Sequence, residues 1–330
     1  MEALHLRDRK SILYLTNRLP YPPNKGDKIR TFHQIDHLAF SHDVYCACFI
    51  DRPGDARHVS SLRRWCKDVI AVPWSRPMGL VNAAMGCLAG RPFTEAAFSS
   101  HEMRRRLRRL CNVTRFDVVV AFSSMMAHYA LEVPARRRVI DLCDVDSEKW
   151  RDYAGDAPAL LSWIYSMEAR RLRRLEQDCA ERFDAVSLIT EREKRHLGPI
   201  GTSSRVHVVS NGVRPPNPTP LRASRCAPVI GFIGSMDYKP NADAVRRFVR
   251  FIWPAVKERI PNARFNIIGR NPTPAVRALA RAPGVTVTGE VREPRLQITR
   301  CRVMVAPLLI SRGIPNKVLE GMAAGRPVVV

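Results

Sequence analysis

Short β-branched and apolar runs alternate with helix-length amphipathic stretches along the whole chain, and this alternation restricts the fold more than any single motif. Strands separated by helices pair in parallel, with the helices crossing over the sheet faces. Both faces are then covered, so each strand reads as a near-continuous apolar run. Runs at 12–16, 44–50, 69–73, 117–122, 138–142, 185–189 and 206–209 predict one complete doubly wound sheet. Between 211 and 228 the chain turns rich in proline and small polar residues (NGVRPPNPTPLRAS) without an apolar period, which reads as a linker. Runs at 229–233, 264–268, 285–288, 303–307 and 327–330 then predict a second α/β unit. The expected domains are therefore 1–220, with the linker, and 221–330. The final strand (PVVV) has no covering helix after it, so the second domain is expected to be truncated.

The length of 330 residues suits two domains that each bury a core. Fifty-four Lys and Arg stand against 31 Asp and Glu, a net charge of +23, which favours anionic partners: nucleic acid, an anionic membrane face or phosphorylated substrates. Arginine-favouring coding is the alternative source of that charge. The nine cysteines show no zinc or redox spacing and read as reduced core residues. The polar first ten residues and the short apolar run after them do not form a signal peptide, and the longest uncharged stretch, 77–90, is too short to span a bilayer.

In open α/β sheets ligands bind beyond the carboxyl ends of the strands, so the loops there are the places to search. The loop after the first strand, NRLPYPPNKGDKIRTFHQI, offers Lys25, Gly26, Asp27 and Arg30 for an acceptor or for donor phosphates, or is a Pro-rich turn capped by Asp27. The stretch VIDLCDVDSEKWRDYA carries Asp141, Asp144, Asp146 and Glu148; Asp144 and Asp146 are the candidate general bases, although Asp146 also suits a helix cap near Glu148. No histidine joins these carboxylates, and no metal site is expected.

In GFIGSMDYKPNADAV, Gly234 opens a turn, Lys239 adds charge, and Asn241 begins a helix. A glycine turn lets backbone N–H groups approach a pyrophosphate, but this is not the dinucleotide fingerprint. Gly269 closes the next strand in RFNIIGR. The stretch PLLISRGIPNKVLEGMAAGRPVVV starts a helix after Pro315, with Asn316, Lys317 and Glu320 in its first turns; Lys317 and Glu320 share one face. A carboxylate there accepts hydrogen bonds from ribose or sugar hydroxyls, or forms an ion pair along the helix.

These stretches resemble the retaining glycosyltransferases of group 1 (RfaB-like) with the GT-B fold, across essentially all of the second unit. LTNRLPYPPNKGDKIRTFHQI, DVVVAFSSMMAHYAL, DLCDVDSEKW and VVSNGV in the first unit resemble the sugar transferases associated with PEP-CTERM/exosortase exopolysaccharide systems. The resemblance implies an α/β architecture of two Rossmann-like doubly wound domains facing a cleft. It implies a nucleotide-sugar donor held by the second, an acceptor on the first, retention at the anomeric carbon and no metal or other cofactor. Glu320 matches the second glutamate of the family's pair, and the first falls on Arg312, which cannot accept hydrogen bonds. Ser235 replaces the family's arginine after the glycine turn, leaving Lys239 and Lys317 for the phosphates. Cys143 and Asp144 stand where many relatives have histidine.

Family members often work at the inner membrane face on lipid-linked acceptors. The basic helices in HEMRRRLRRLCNVTR and MEARRLRRLEQ suit anionic headgroups or are solvated charged faces, and 77–90 is a hydrophobic acceptor-side helix or plain core. A cytoplasmic enzyme, peripheral on the inner face of the plasma membrane, is expected. A nucleotide-sugar epimerase of the same architecture is the second reading. A nucleic-acid-binding protein is disfavoured, because aromatics do not interleave the basic runs.

Overall fold

The computed structural model describes residues 9–155, 157–213, 228–309 and 315–330. The chain forms two compact units, Met1–Ser210 and Asn211–Val330. The boundary expected at 220 lies outside the described residues, as does most of the linker.

The first unit has a parallel sheet of β1 (Ser11–Thr16), β2 (Asp43–Ile50), β3 (Asp68–Pro73), β4 (Phe116–Phe122), β5 (Ala135–Cys143), β6 (Ala185–Leu188) and β7 (Val206–Val208). Its order is β3-β2-β1-β4-β5-β6-β7, the doubly wound Rossmann arrangement. The second unit has β8 (Val229–Ile233), β9 (Arg264–Ile268), β10 (Val285–Gly289), β11 (Val303–Val305) and β12 (Val328–Val329), in the order β10-β9-β8-β11-β12. Strand order reverses between β1 and β4 and again between β8 and β11. At such switch points the helices diverge to opposite faces and leave a crevice at the strand ends.

Side chains on successive strand residues point to opposite faces. Leu13 and Leu15 of β1 join one buried cluster with Ala47 and Phe49 of β2, while Tyr14 joins another with Cys46 and Cys48. In the second unit Phe232, Phe265 and Ile267 pack on one face, and Ile233 and Ile268 on the other. Both faces of both sheets are thus apolar, which is why the strands stand out in the sequence. The cysteines among the described residues are free thiols, and Cys46, Cys48, Cys66, Cys179 and Cys301 are buried.

One charged pair ties the first sheet to its first helix, Gly26–Ser41. The Arg30 guanidinium grips Asp141 of β5 with two bonds, Nε to Oδ2 at 2.6 Å and Nη2 to Oδ1 at 3.1 Å, and Gln34 Nε2 donates to the same carboxylate at 2.7 Å. Both partners are buried. Removing one member of such a pair strands the other charge, so Arg30→Met is expected to destabilise the chain by about 3–5 kcal/mol. Arg30→Met/Asp141→Leu should recover most of that loss. Urea unfolding checks this: an unaltered midpoint for Arg30→Met would show that the pair does not brace the fold.

Candidate functional site

In the second unit four residues singled out in the sequence converge at the carboxyl ends of β8 and β9. Gly234 donates its backbone N–H to the Ile268 carbonyl at 3.0 Å. Gly269 has φ +153° and lies so close to that turn that a Cβ on it would come within 1.7 Å of the Gly234 carbonyl oxygen. Only glycine satisfies both constraints. Asn241, on the helix Lys239–Arg247, donates from Nδ2 to the Ser235 carbonyl at 2.9 Å, and its Oδ1 accepts from Lys317 Nζ at 2.6 Å.

Lys317 reaches this turn from the helix Asn316–Ala323, which follows β11. The two sides of the switch point are therefore joined through Asn241. The ammonium also stands 4.2 Å from the centroid of the Phe232 ring, a cation–π contact, and 3.4 Å from where a Cβ on Gly234 would lie. Burial lowers the Lys317 pKa to about 7, opposed by the charge of Glu320. Burial pushes the Glu320 carboxyl up, opposed by Arg295 and Lys317. The arrangement is a glycine-lined backbone turn beside a desolvated cation, suited to an incoming anion.

Other expectations for this unit come out differently. Lys239 is itself the first helical residue, two positions before the expected start, and its side chain is exposed and pairs with Asp243 at 3.1 Å. The glycine turn is served instead by Lys317, which the chain brings from 76 residues farther on. Asn316 opens the Lys317 helix. Arg312 lies outside the described residues. Phe232 was legible only as a core strand residue, and no spacing signals its role under Lys317.

In the first unit the sequence-marked carboxylates divide by environment. Asp141 is consumed by Arg30 and Gln34. Asp144 follows a break in β5: the β5–β6 register shifts between Asp141 and Cys143, and Cys143 has φ +65°. A non-glycine residue there costs on the order of 1 kcal/mol, and it turns the chain away from the sheet. Asp144 Oδ1 is buried and accepts no hydrogen bond. Burial first, then the charges of Asp146 and Glu193, raise the Asp144 pKa to about 7. Asp146 is the first residue of the helix Asp146–Gly155 and pairs with Lys149. The helix starts two residues before Glu148, and Asp144 keeps one carboxyl oxygen without a protein partner among the described residues, Cys143 Sγ donating to the other at 4.0 Å.

Two buried glutamates hold this loop, and sequence reasoning missed both. Glu193 accepts the Val145 N–H at 2.7 Å, and Glu176 accepts the Ser147 N–H at 3.0 Å and its hydroxyl at 2.5 Å. Burial raises the Glu176 pKa to about 8. Thr190 and Glu193 have the spacing of a helix capping box, with Thr190 accepting the Glu193 N–H at 3.1 Å. The glutamate carboxylate is diverted to the Asp144 loop. At the β1/β4 switch point, buried Asn17, Ser123 and Ser124 carry an acceptor oxygen and two hydroxyls without protein partners among the described residues.

The loop after β1, offered in the sequence to an acceptor or to donor phosphates or as a turn capped by Asp27, spends most of its charge on internal pairs. Arg30 is spent on Asp141; Asp27 takes Arg18 at 2.7 Å, and buried Lys28 takes Asp55 at 2.6 Å. Gly26 begins the helix, with Lys25 as its N-terminal flank and no side-chain cap. The Lys25 pKa is lowered by burial and then by Arg18 and Arg52.

Residues 227–330 match the family described as Glycosyl transferases group 1. No curated protein matches the chain in sequence. Among solved structures it is similar to HepE of Anabaena in complex with UDP and glucose, with TM-score 0.59 and 14% identity, over 97% of this chain and 80% of that one. It is similar to TarM of S. aureus at TM-score 0.66 and 9% identity, over 98% and 84%. WaaG, a glycosyltransferase involved in lipopolysaccharide biosynthesis, gives TM-score 0.57 and 13% identity, over 96% and 80%.

Proposed function

We propose that this chain, a glycosyltransferase of the GT-B fold whose second unit matches the group 1 family, moves a sugar from a nucleotide-sugar donor to a hydroxyl acceptor with retention at the anomeric carbon. The observation that carries the reading is the convergence of Gly234, Asn241, Gly269 and Lys317 at a strand-order switch point. The donor diphosphate lies on the Gly234–Ser235 turn, neutralised by Lys317 and by backbone N–H groups rather than by a metal. Glu320, half-buried three positions on, accepts a ribose or sugar hydroxyl. HepE, bound to UDP-glucose in a related structure, supports a donor of this class. Retention is supported by the family resemblance and by the similar trehalose-6-phosphate synthase fold, whose glycosyl transfer is described as retaining.

Asp144 takes the acceptor hydroxyl proton, and the polar atoms of Asn17, Ser123 and Ser124 receive acceptor hydroxyls. The acceptor is lipid-linked or a polysaccharide, in exopolysaccharide biosynthesis of the PEP-CTERM/exosortase type, at the cytoplasmic face of the plasma membrane. The first-unit resemblance supports that assignment.

Melting the chain with UDP-, GDP- and TDP-sugars tests the donor site. One nucleotide class is expected to stabilise it, by about 2.7 kcal/mol at a hundred times its Kd, and Glu320→Ala should abolish most of the shift. No shift with any class would remove the donor reading. Interconversion of free donor without an acceptor would replace it by an epimerase.

A further inference from the structure

Asp144 sits on a turn between a strand end and a helix, and the neighbouring strand supplies the residue that fixes it. Cys143 leaves the sheet in the left-handed region, and the Asp144 N–H folds back to the Leu142 carbonyl at 2.8 Å. Beside it in the sheet lies β6, and Ile189, just past its end, donates its N–H to the Cys143 carbonyl at 2.9 Å. The helix Glu191–His196 follows at once. Thr190 Oγ1 accepts the Glu193 N–H at 3.1 Å and so sets the Glu193 backbone. The fully buried Glu193 side chain then crosses to the Asp144 turn, where Oε2 accepts the Val145 N–H at 2.7 Å.

Capping alone does not account for this carboxylate. A helix start needs acceptors, which a neutral Ser or Asn supplies, and the helix Asp146–Gly155 already has Asp146 at its first position and Glu176 on Ser147. Among the described residues Glu193 Oε1 is buried without a hydrogen-bond partner, and so is Asp144 Oδ1. Burying a carboxylate without a countercharge is costly, and the Glu193 charge acts on Asp144. The other groups around Asp144 are spent. Asp146 and Lys149, on its own helix, pair with each other, and Arg30 of the helix Gly26–Ser41 is given to Asp141. Glu176, on the helix Ala159–Arg182, is pushed by burial to a pKa of about 8 and carries little charge near neutrality. Cys143 is a thiol held neutral by burial. Glu193 is thus the anionic neighbour that no ion pair among the described residues offsets.

We propose that Glu193 is a positioning residue for sugar transfer: through the Val145 N–H it fixes the Asp144 carboxylate at the carboxyl end of β5, and its unpaired charge makes that carboxylate a stronger base. The inference rests on the reading of Asp144 as the group that takes the acceptor proton. In that step the acceptor oxygen bonds to the anomeric carbon, its O–H bond breaks and the proton passes to an Asp144 oxygen. The bond from the anomeric carbon to the phosphate oxygen breaks, and the nucleoside diphosphate leaves with that electron pair. Glu193 touches none of the reacting atoms. A carboxylate of ordinary strength holds a hydroxyl proton weakly at neutral pH, whereas a base whose proton affinity lies near the working pH is the most effective. A second carboxylate close by supplies that increase, because two like charges disfavour each other.

Carbon NMR of the chain labelled at its aspartate carboxyls tests the charge, with the Asp144 resonance identified by its absence in Asp144→Asn. Glu193→Gln retains an oxygen for the Val145 N–H and removes the charge, so it should lower the Asp144 titration midpoint by about one pH unit. Glu193→Asp keeps the charge and withdraws the oxygen by one methylene, so the midpoint should stay in place. Glu176→Gln should leave it there too. Release of nucleoside diphosphate from the UDP-, GDP- or TDP-sugar that stabilises the chain, with water as acceptor, tests the position. Glu193→Asp should release it roughly tenfold to a hundredfold more slowly, the effect of a misplacement of about 1 Å, at unchanged KM for the donor. An unmoved midpoint in Glu193→Gln, or wild-type release by Glu193→Asp while Asp144→Asn is inactive, would overturn the proposal and leave Glu193 as a brace of the fold. Wild-type release by Asp144→Asn would instead remove the base reading, and this inference with it.

Discussion

An Asp144→Asn variant is expected to lose about a hundredfold to ten-thousandfold in turnover, the usual contribution of a positioned acid–base group, and yet to fold more stably at pH 8. The two effects share one cause. Burial and the neighbouring Asp146 and Glu193 charges hold the Asp144 pKa at about 7, while Lys149 and Arg30 oppose them. Below the ordinary value of 3.8 the carboxyl is protonated in both folded and unfolded chains and costs nothing. Between 3.8 and about 7 the unfolded chain has lost the proton that the folded chain retains, so stability falls as pH rises, and above about 7 the whole penalty is present. Asparagine removes that penalty, stabilising the chain by about 2–4 kcal/mol at pH 8 and leaving it unchanged near pH 3.5. Urea midpoints at the two pH values read the stability; steady-state turnover with the stabilising donor reads the activity. A variant that is stabilised and still turns over normally would take Asp144 out of the reaction. In wild type the acidic limb of the turnover profile should have its midpoint near pH 7, because the ionised form accepts the proton.

Lys317→Met is the second large effect. The Lys317 pKa is lowered from 10.5 to about 7 by burial. Between those values the unfolded chain binds the proton that the folded chain has released, so stability rises with pH from about 7 to 10.5. The burial penalty is fully present below pH 7, and methionine removes it, with a gain of about 2–4 kcal/mol at pH 6.5 that vanishes by pH 10.5. Binding moves in the opposite direction. The lost contact between a cation and a diphosphate is worth about 1.5–3 kcal/mol, so affinity for whichever of UDP, GDP and TDP raises the melting point should fall about tenfold to a hundredfold. For wild type, a bound diphosphate supplies the countercharge that raises the Lys317 pKa again. Binding above pH 7 then takes up a proton, and affinity falls by up to about tenfold per pH unit. Calorimetry in two buffers of different ionisation enthalpy measures the uptake. Equal affinities at pH 6.5 and 8.5 with no proton uptake would place the diphosphate away from Lys317.

The strands of both sheets were legible because a parallel strand covered on both faces must be apolar at nearly every position, and Leu13, Tyr14 and Leu15 are all fully buried. Gly234 and Gly269 were legible as turn residues at strand ends, and their mutual approach is a consequence of β8 pairing with β9.

The fate of each charge was not legible, because an ionic side chain is claimed by whichever partner the fold brings near. Lys239, beside the glycine turn in sequence, goes to Asp243 on its own helix. Lys317, far from the turn in sequence, arrives beside Asn241 because β11 lies next to β8 in the sheet. Arg30 lies in a loop that the sequence offers to an acceptor or to donor phosphates, and Asp141, 111 residues away, consumes it inside the sheet. The facing of the Arg76–Leu88 helix was equally hidden, since its apolar side chains satisfy a buried helix and an exposed one alike; Trp74 and Ala96, pressed against its two glycines, turn them outward. The sequence by itself determined the strands, the helices and the turns between them, which depend on local period and backbone freedom. Only the tertiary structure decided which charges stay available and which apolar face stays bare, because those depend on partners that the sheet order supplies from distant parts of the chain.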